Sequence, residues 1–342
     1  MVPSMHYLIS GLIMLMRQRS PLLSFVHRTR YSVIVLLEIR YTMHERDARV
    51  ADESHHLVAV VPTFNNWDVF LQCLACLDVQ EDCKFSVVVA DDGSSTCPPA
   101  SLTRHDFVTY LPLTHAGFAV TCNRGAEKAL SIGASHLLFL NDDTVFGRHF
   151  MATWYQEIQQ NPNDIIGPMI YEYHRPQHVW ASGGRQSPLL PFKTMRRRYQ
   201  QRTKVDMLTA CALVVPREAW VRLGGFDEAY KTYYEDFDLL LRARTLGIPA
   251  FIQPDSALTV QHIGACTAGR DGPWRREYQM ISSRLRFISK HYSGLNRVLC
   301  QALVVPHLLL TTLRYLPSLL SLPKLSRALM SGFNGYTQGP NT

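Results

Sequence analysis

The sequence has no internal repeat and no low-complexity tract, which excludes a repeat array or a compositionally disordered chain as its main architecture. Metal-like cysteine spacing is nearly absent. Of eight cysteines, only Cys73 and Cys76 stand two residues apart, and no second Cys/His pair follows at a matching distance. The pair lies inside V-F-L-Q-C-L-A-C-L, whose apolar positions repeat with a helical period, so a zinc knuckle is excluded and buried thiols in a reducing compartment are expected. No recognisable nucleic-acid-binding module accompanies the formal charge of +7. No small-residue cleavage site follows the apolar stretch 7–16, which excludes a signal peptide, and that stretch is short for a membrane span. A second apolar patch, 33–39, is interrupted by Glu38. Residues 1–54 are therefore set apart as an extension of unknown role, either an amphipathic anchor or the product of an upstream start codon.

Apolar material is plentiful. With 342 residues and 46% hydrophobic content, the chain can build one large domain or two ordinary ones. From Leu57 onward strands alternate with helices: strands at 57–61, 85–90, 107–111 and 137–140, helices at 67–77 and 122–132. That alternation predicts a parallel sheet with right-handed crossovers. A second half, 164–292, adds strand candidates at 165–170 and 207–214 and a helix at 239–245, stopped by Gly247-Ile248-Pro249.

Each principal strand ends in a polar cluster. Pro62-Thr63-Phe64-Asn65-Asn66 follows the first, Asp91-Asp92-Gly93-Ser94 the second, His115-Ala116-Gly117-Phe118 the third and Asn141-Asp142-Asp143 the last. In a parallel sheet all four line one edge, where ligands bind, and clustered oxygen ligands suit a divalent cation that holds a phosphate. Asn and Asp are also turn formers, so the last triplet alone does not decide.

Charge is unevenly placed. From Gln261 onward ten Lys/Arg face only Asp271 and Glu277. Interleaved with Leu-rich segments, they fit an anionic membrane surface, with a solvated basic face as the alternative. The stretch 298–325 is long enough to span a bilayer, but Pro306, Arg314 and Pro317 break it, so an interfacial hairpin is expected. The expected division is 1–54, a main domain 55–292 with a donor half (55–150) and an acceptor half (151–292), and a membrane-associating tail, 293–342.

V-V-P-T-F-N-N, V-V-A-D-D-G-S, H-A-G-F-A-V-T-C-N-R-G, L-F-L-N-D-D-T, L-G-G-F-D-E, Y-Y-E-D-F-D-L-L-L-R-A-R and Q-H-I-G stand in this order over residues 56–292. Singly weak and jointly specific, they resemble glycosyltransferase family 2, in particular its rhamnosyltransferase-like branch of inverting enzymes that build bacterial surface polysaccharides. The resemblance implies a GT-A type α/β sandwich with a mixed, mainly parallel sheet, here followed by C-terminal apolar and basic helices. It implies a nucleotide-sugar donor (a dTDP- or UDP-sugar) and a glycan or lipid-linked acceptor, met at the cytoplasmic face of the plasma membrane.

Carried over residue by residue, the resemblance makes Phe64 the ring that stacks on the donor base, within the donor segment Pro62, Thr63, Phe64 and Asn65. Asp91 or Asp92 would accept from the base or ribose, since an imide N–H needs an acceptor. Gly117 and Phe118, with Asn123 and Gly125, would let the backbone approach the nucleotide and set the diphosphate at a helix amino end. Asn141 replaces the usual first Asp of the D-x-D motif, Asp142 also falls to the donor, and Asp143 and His262 would hold Mn²⁺ or Mg²⁺. Gly225, Phe226 and Glu235 would meet the acceptor. Asp236 would be the general base, its other reading being a helix cap. The segment 269–276 would form a lid from which Arg275 or Arg276 closes over the diphosphate. A non-catalytic sugar-nucleotide-binding or scaffold protein is the competing function, opened by Asn141. A nucleotidyltransferase is disfavoured, because no Gly-rich loop with Lys or Arg follows the first strand.

Overall fold

The structure, a computed structural model, describes residues 55–81, 83–186, 196–264 and 273–320. The expectations for 1–54, for 269–272 of the lid and for 321–342 fall outside them. In chain order the elements are β1 (Leu57–Thr63), α1 (Trp67–Asp78), β2 (Ser86–Asp91), β3 (Val108–Pro112), α2 (Phe118–Ser131), β4 (His136–Leu140), β5 (Thr144–Phe146), α3 (Phe150–Gln160), β6 (Ile165–Pro168), β7 (Ile170–Glu172), β8 (Arg175–Ala181) and β9 (Thr203–Val205). Then follow β10 (Ala212–Pro216), α4 (Arg217–Leu223), α5 (Glu235–Thr245), β11 (Ala250–Gln253), β12 (Val260–His262), α6 (Pro273–His291), α7 (Gly294–Ala302) and α8 (Val305–Leu320).

A large sheet runs β3-β2-β1-β4-β10-β6-β11-β9, and a small one runs β5-β12-β7-β8. β1, β2, β3 and β4 are parallel; β10 is antiparallel to β4 and β6. The α/β sandwich with a mixed sheet is thus present. β1 is buried along its whole length, because both faces are covered. Leu57, Ala59 and Val61 pack with Phe70, Cys73 and Leu77 of α1, while Val58 and Val60 pack with Ala119, Cys122 and Ala126 of α2. The period-two alternation of a strand sends successive side chains into different layers. Gly125 belongs to this packing: a Cβ there would stand 2.5 Å from Cγ1 of Val60, so its lack of a side chain seats α2 on the sheet instead of admitting a nucleotide.

Several boundaries differ from those expected. The run 165–170 is two strands in two sheets, β6 beside β11 and β7 beside β12. It divides after Pro168, which has no N–H to extend a ladder. The strand expected from 207 begins only at Ala212. α2 starts at Phe118, four residues early, because Gly117 turns the chain at φ +105°. α5 starts at Glu235, directly after Tyr233 and Tyr234, both at positive φ (69° and 71°). Cys73 is buried and Cys76 half-buried.

α7 and α8 pack on α6 through Ile281, Ile288, Cys300, Val304 and Leu308. Tyr278 of α6 also meets Thr312 of α8 at 2.8 Å between hydroxyls. Their outer face is apolar and exposed, including Leu295, Val298, Leu309, Leu310 and Leu313. By length and composition 294–315 can cross a bilayer.

Candidate active site

After β4 the chain turns through Asn141, Asp142 and Asp143 into β5, which pairs antiparallel with β12 and sets Thr144 opposite His262. Ile263 N–H donates to the Asp143 carbonyl at 2.9 Å. This register brings His262 Nε2 to 3.1 Å from Asp143 Oδ1, and Trp180 of β8 covers the imidazole with ring centroids 4.1 Å apart. The amide Oδ1 of Asn141 and the Nδ1 of His262 are buried with no hydrogen-bond partner among the described residues. Buried polar atoms are rarely left so. Among the described residues no three His, Cys, Asp or Glu side chains gather as a metal cluster, and the unpartnered amide oxygen of Asn141 is the further group that a cation at Asp143 and His262 could take. An amide oxygen, a carboxylate and an imidazole form a donor set that fits a divalent cation such as Mn²⁺ or Mg²⁺. Asp142 faces elsewhere. Its Oδ2 accepts from Thr63 Oγ1 at 2.8 Å, and burial, with Asp143 beside it, pushes its carboxyl up to about 7.

At the ends of β1 and β2 the expected donor residues are bonded largely to one another. Pro62 is a strand residue beside Ala90. Asn65, at φ 53°, accepts from Ser95 N–H at 2.7 Å and donates its own N–H to Ser94 Oγ at 2.8 Å. Asp91 accepts from Ser94 N–H and from Tyr110 OH. Asp92 accepts from Ala116 N–H at 2.8 Å and from Gly117 N–H, and its Oδ2 lies 2.9 Å from His115 Nδ1. Its carboxylate therefore already occupies the amino end of α2 where a diphosphate was expected. Phe64 stacks on His115, centroids 4.3 Å apart and planes 20° from parallel.

Asn123, Gly225 and Phe226 do not reach the cleft edge. Asn123 Nδ2 donates to the Phe226 carbonyl at 2.9 Å and its Oδ1 accepts from Phe226 N–H at 2.9 Å. Phe226 is packed against Phe139 and Trp220. Gly225 is glycine because a Cβ would stand 2.8 Å from Asn123 Oδ1. The G-F-A-V-T-C-N-R-G and L-G-G-F-D-E segments thus meet as one internal brace. Phe118 opens α2 and donates its N–H to the Lys231 carbonyl at 3.0 Å. Arg275 lies exposed in the first turn of α6, its guanidinium 5.4 Å from the Trp274 ring centre.

Asp236 sits in the first turn of α5. Its Oδ2 accepts from Ala210 N–H at 3.2 Å and its Oδ1 from its neighbour Phe237 N–H at 2.8 Å. The next peptide unit, Cys211, accepts from Asn141 N–H at 2.9 Å. One short loop, 209–211, therefore ties the carboxyl of Asp236 to the Asn141–Asp143 turn. Burial pushes Asp236 up to about 6 against these hydrogen bonds. Glu235, beside it, is driven well above the usual carboxylate range by burial and by Asp236, and its Oε2 has no partner among the described residues. Asp238 shows the opposite balance. Burial raises it, but His291 and Lys290, each 2.7 Å away, and Arg242 at 2.8 Å hold it down to about 2.

Residues 58–220 match the family Glycosyl transferase family 2. Those residues form a family 2 glycosyltransferase domain. The chain is 27% identical over 265 residues to the N-acetylglucosaminyl-diphospho-decaprenol L-rhamnosyltransferase of Mycobacterium tuberculosis, covering 70% of this chain and 85% of that one. It is 26% identical over 197 residues to an uncharacterized glycosyltransferase of Haemophilus influenzae, covering 54% and 61%. Among solved structures it resembles the mannosyltransferase PcManGT of Pyrobaculum calidifontis, in complex with GDP-Man and Mn²⁺, at TM-score 0.49 and 17% identity (81% and 79% covered). It also resembles S. aureus TarS at TM-score 0.45 and 16% identity, covering 67% of this chain and 65% of that one.

Three contributors to this cluster lie beyond the expected site residues. Trp180 covers His262, the 209–211 loop holds Asp236, and His115 pairs Phe64 with Asp92. A histidine between β3 and the Gly117 turn was visible in sequence. Trp180 carries no local signal, because only the pairing of two short strands in a second sheet brings it to His262.

Proposed function

We propose that this protein is an inverting glycosyltransferase that moves a sugar from a dTDP- or UDP-sugar to a hydroxyl of a glycan or lipid-linked acceptor in bacterial surface polysaccharide synthesis. The observation that supports it best is the 209–211 loop, which links the raised carboxyl of Asp236 to the Asn141, Asp143 and His262 donor set. Asp236 as carboxylate takes the acceptor hydroxyl's proton while that oxygen bonds to the anomeric carbon and the bond from that carbon to the diphosphate breaks. Asn141, Asp143 and His262 would hold a divalent cation, Mn²⁺ or Mg²⁺, which when bound neutralises charge on the leaving diphosphate. Glu235, driven well above the usual carboxylate range by burial and by Asp236 beside it, would offer the acceptor a hydrogen-bond donor when it carries its proton. Phe64 and His115 would give the nucleobase an aromatic platform, and Arg275, in the first turn of α6, would close over the diphosphate.

The donor sugar to test first is rhamnose, since the M. tuberculosis relative is named for rhamnosyl transfer to a diphospho-decaprenol acceptor. The exposed leucines of α7 and α8 support peripheral attachment at the cytoplasmic face of the membrane, with positive charge nearby. The domain boundaries follow this reading: 55–150 for the donor, 151–292 for the acceptor, and 293–342 for the membrane. Because α7 and α8 share a core with α6, substituting Leu309, Leu310 and Leu313 by Ser tests attachment better than truncation does. The variant should melt as the parent does but no longer float with anionic vesicles; unchanged flotation would remove this surface from the proposal.

The experiment is transfer from dTDP- and UDP-sugars with Mn²⁺ and with chelator. Metal-dependent product of inverted anomeric configuration is expected. Donor binding without turnover under either condition would make the protein a binding module.

A further inference from the structure

A second concentration of positive charge lies ahead of the basic stretch that starts at Gln261. Residues 173–205 contain six Arg (175, 185, 196, 197, 198 and 202) and two Lys (193 and 204) and no Asp or Glu. Arg202 is used internally, between Glu157 and Asp164 and over the Phe251 ring. Four others are exposed, Arg175 at the start of β8 and Arg196, Arg197 and Arg198 in the segment beside it. Arg197 donates its N–H to Ser182 Oγ at 3.0 Å, Arg198 Nη2 donates to the Gln177 carbonyl, and Arg175 and Arg196 share Glu172 at 2.6 and 3.8 Å. The R-R-R run thus lies against β8, and Arg175, Arg196, Arg197 and Arg198 are all exposed, the first and second sharing one carboxylate. Arg197 makes no ion pair among the described residues; its guanidinium stands 5.6 Å from the Tyr199 ring centre.

The strip leads to the catalytic groups. β8 carries Trp180, which covers His262, and its last residue, Ala181, with Gly183 and Gly184 just beyond it, lines one small cavity with Thr209 and Phe237, the neighbours of Asp236. Crowded like charges destabilise the free protein and are relieved by an anionic ligand. Guanidinium groups, more than ammonium groups, match phosphate oxygens two at a time. The donor's diphosphate belongs at the Asp143 turn, so this strip serves a different phosphate.

Resting on the glycosyltransferase reading, we propose that Arg175, Arg196, Arg197 and Arg198 bind phosphate groups of the acceptor. The acceptor is accordingly a phosphate-bearing glycan or a lipid diphosphate. A membrane surface is disfavoured as the occupant, because the exposed leucines of α7 and α8 are on other elements and the strip itself is flanked by the site.

The full chain would be titrated at low salt with a glycerol-phosphate oligomer, with farnesyl diphosphate and with a phosphate-free chitin oligomer, alongside UDP with Mn²⁺ as a separate reading of donor binding. One of the two phosphate probes should bind, identifying the phosphodiester or the lipid diphosphate source, and added salt should weaken it. In the variant combining Arg196→Gln, Arg197→Gln and Arg198→Gln its affinity should fall about ten-fold or more, with UDP affinity unchanged. Arg197→Gln alone should lower it a few-fold, which keeps the test valid if the triple variant does not melt cooperatively. The proposal is overturned if neither phosphate probe binds a chain that does bind UDP, if the variants bind it unchanged, or if UDP affinity falls equally. It is also overturned if only attachment to anionic vesicles is lost. Failure of the parent to bind UDP would instead count against the glycosyltransferase reading.

Discussion

At the carboxyl ends of β1 and β2 the polar side chains are answered by the protein itself, whereas at the end of β4 and the start of α5 buried polar atoms have no such answer. Asn65, Asp91 and Asp92 accept from Ser95, Tyr110 and Ala116 on the neighbouring strand and loops, and Thr63 donates to Asp142. Asn141 Oδ1, His262 Nδ1 and Glu235 Oε2 are buried without a hydrogen-bond partner among the described residues, and Tyr233 and Tyr234, just before Glu235, hold backbone angles that cost on the order of 1–3 kcal/mol each. The first region is a scaffold whose shape is set before any ligand arrives. The second is kept in an unfavourable state that a ligand or a proton relieves, the usual signature of reacting groups.

The largest effect that separates the regions is on turnover. Asp236→Asn removes the proton acceptor with little change of shape, and transfer should drop by a factor of about a hundred to ten thousand with donor affinity nearly intact. Near-normal turnover would leave Asp236 as a helix residue and erase the contrast. Asp143→Ala should abolish Mn²⁺-dependent donor binding measured by calorimetry, while Asp142→Ala should retain it and lower the melting temperature, because Thr63 loses its buried acceptor. Equal losses of metal binding in both would mean that the turn presents both carboxylates to the cation.

Smaller changes probe the scaffold side. Asp92→Ala leaves the N–H groups of Ala116 and Gly117 without their acceptor, and the expected loss is about 1–3 kcal/mol in chemical denaturation. Asn65→Ala, at a more exposed turn, should lose about 1 kcal/mol or less. A melt unchanged by Asp92→Ala would show that its carboxylate is available to the nucleotide.

Much of this was legible in the sequence where one local signal sufficed. The four strands of the donor half and their polar ends could be read because each is a buried apolar run stopped by turn formers, and one parallel sheet brings such ends to one edge. What could not be read depends on long-range pairing. Nothing local marks the point after Pro168 where the chain leaves one sheet for another, nor the pairing of Asn123 with Phe226 across 103 residues, which takes both from the cleft and into the interior. Carboxylates posed a related difficulty: Asp91, Asp92, Asp142 and Asp236 are alike in sequence, and only their partners divide loop braces from a base. The basic tract at 173–205 was open to counting, but its meaning depends on β8 running to Trp180 and His262.

The contrast rests on the carboxyl of Asp236 being held in an unfavourable environment, and the sign of its linkage to stability tests that directly. With a folded value near 6 and an unfolded one near 3.9, the native state binds the extra proton, so this group's contribution to stability falls as pH rises through that window and is fully present below it. Melting temperatures of the parent and Asp236→Asn would be compared from pH 4 to pH 7.5. Whatever their offset, the parent should lose ground to the variant as pH rises, with most of the change complete just above pH 6. A parent that gains ground over the same range would show a carboxylate stabilised in the folded state, as a helix cap is, and would contradict the assignment of Asp236 as the strained base of this site.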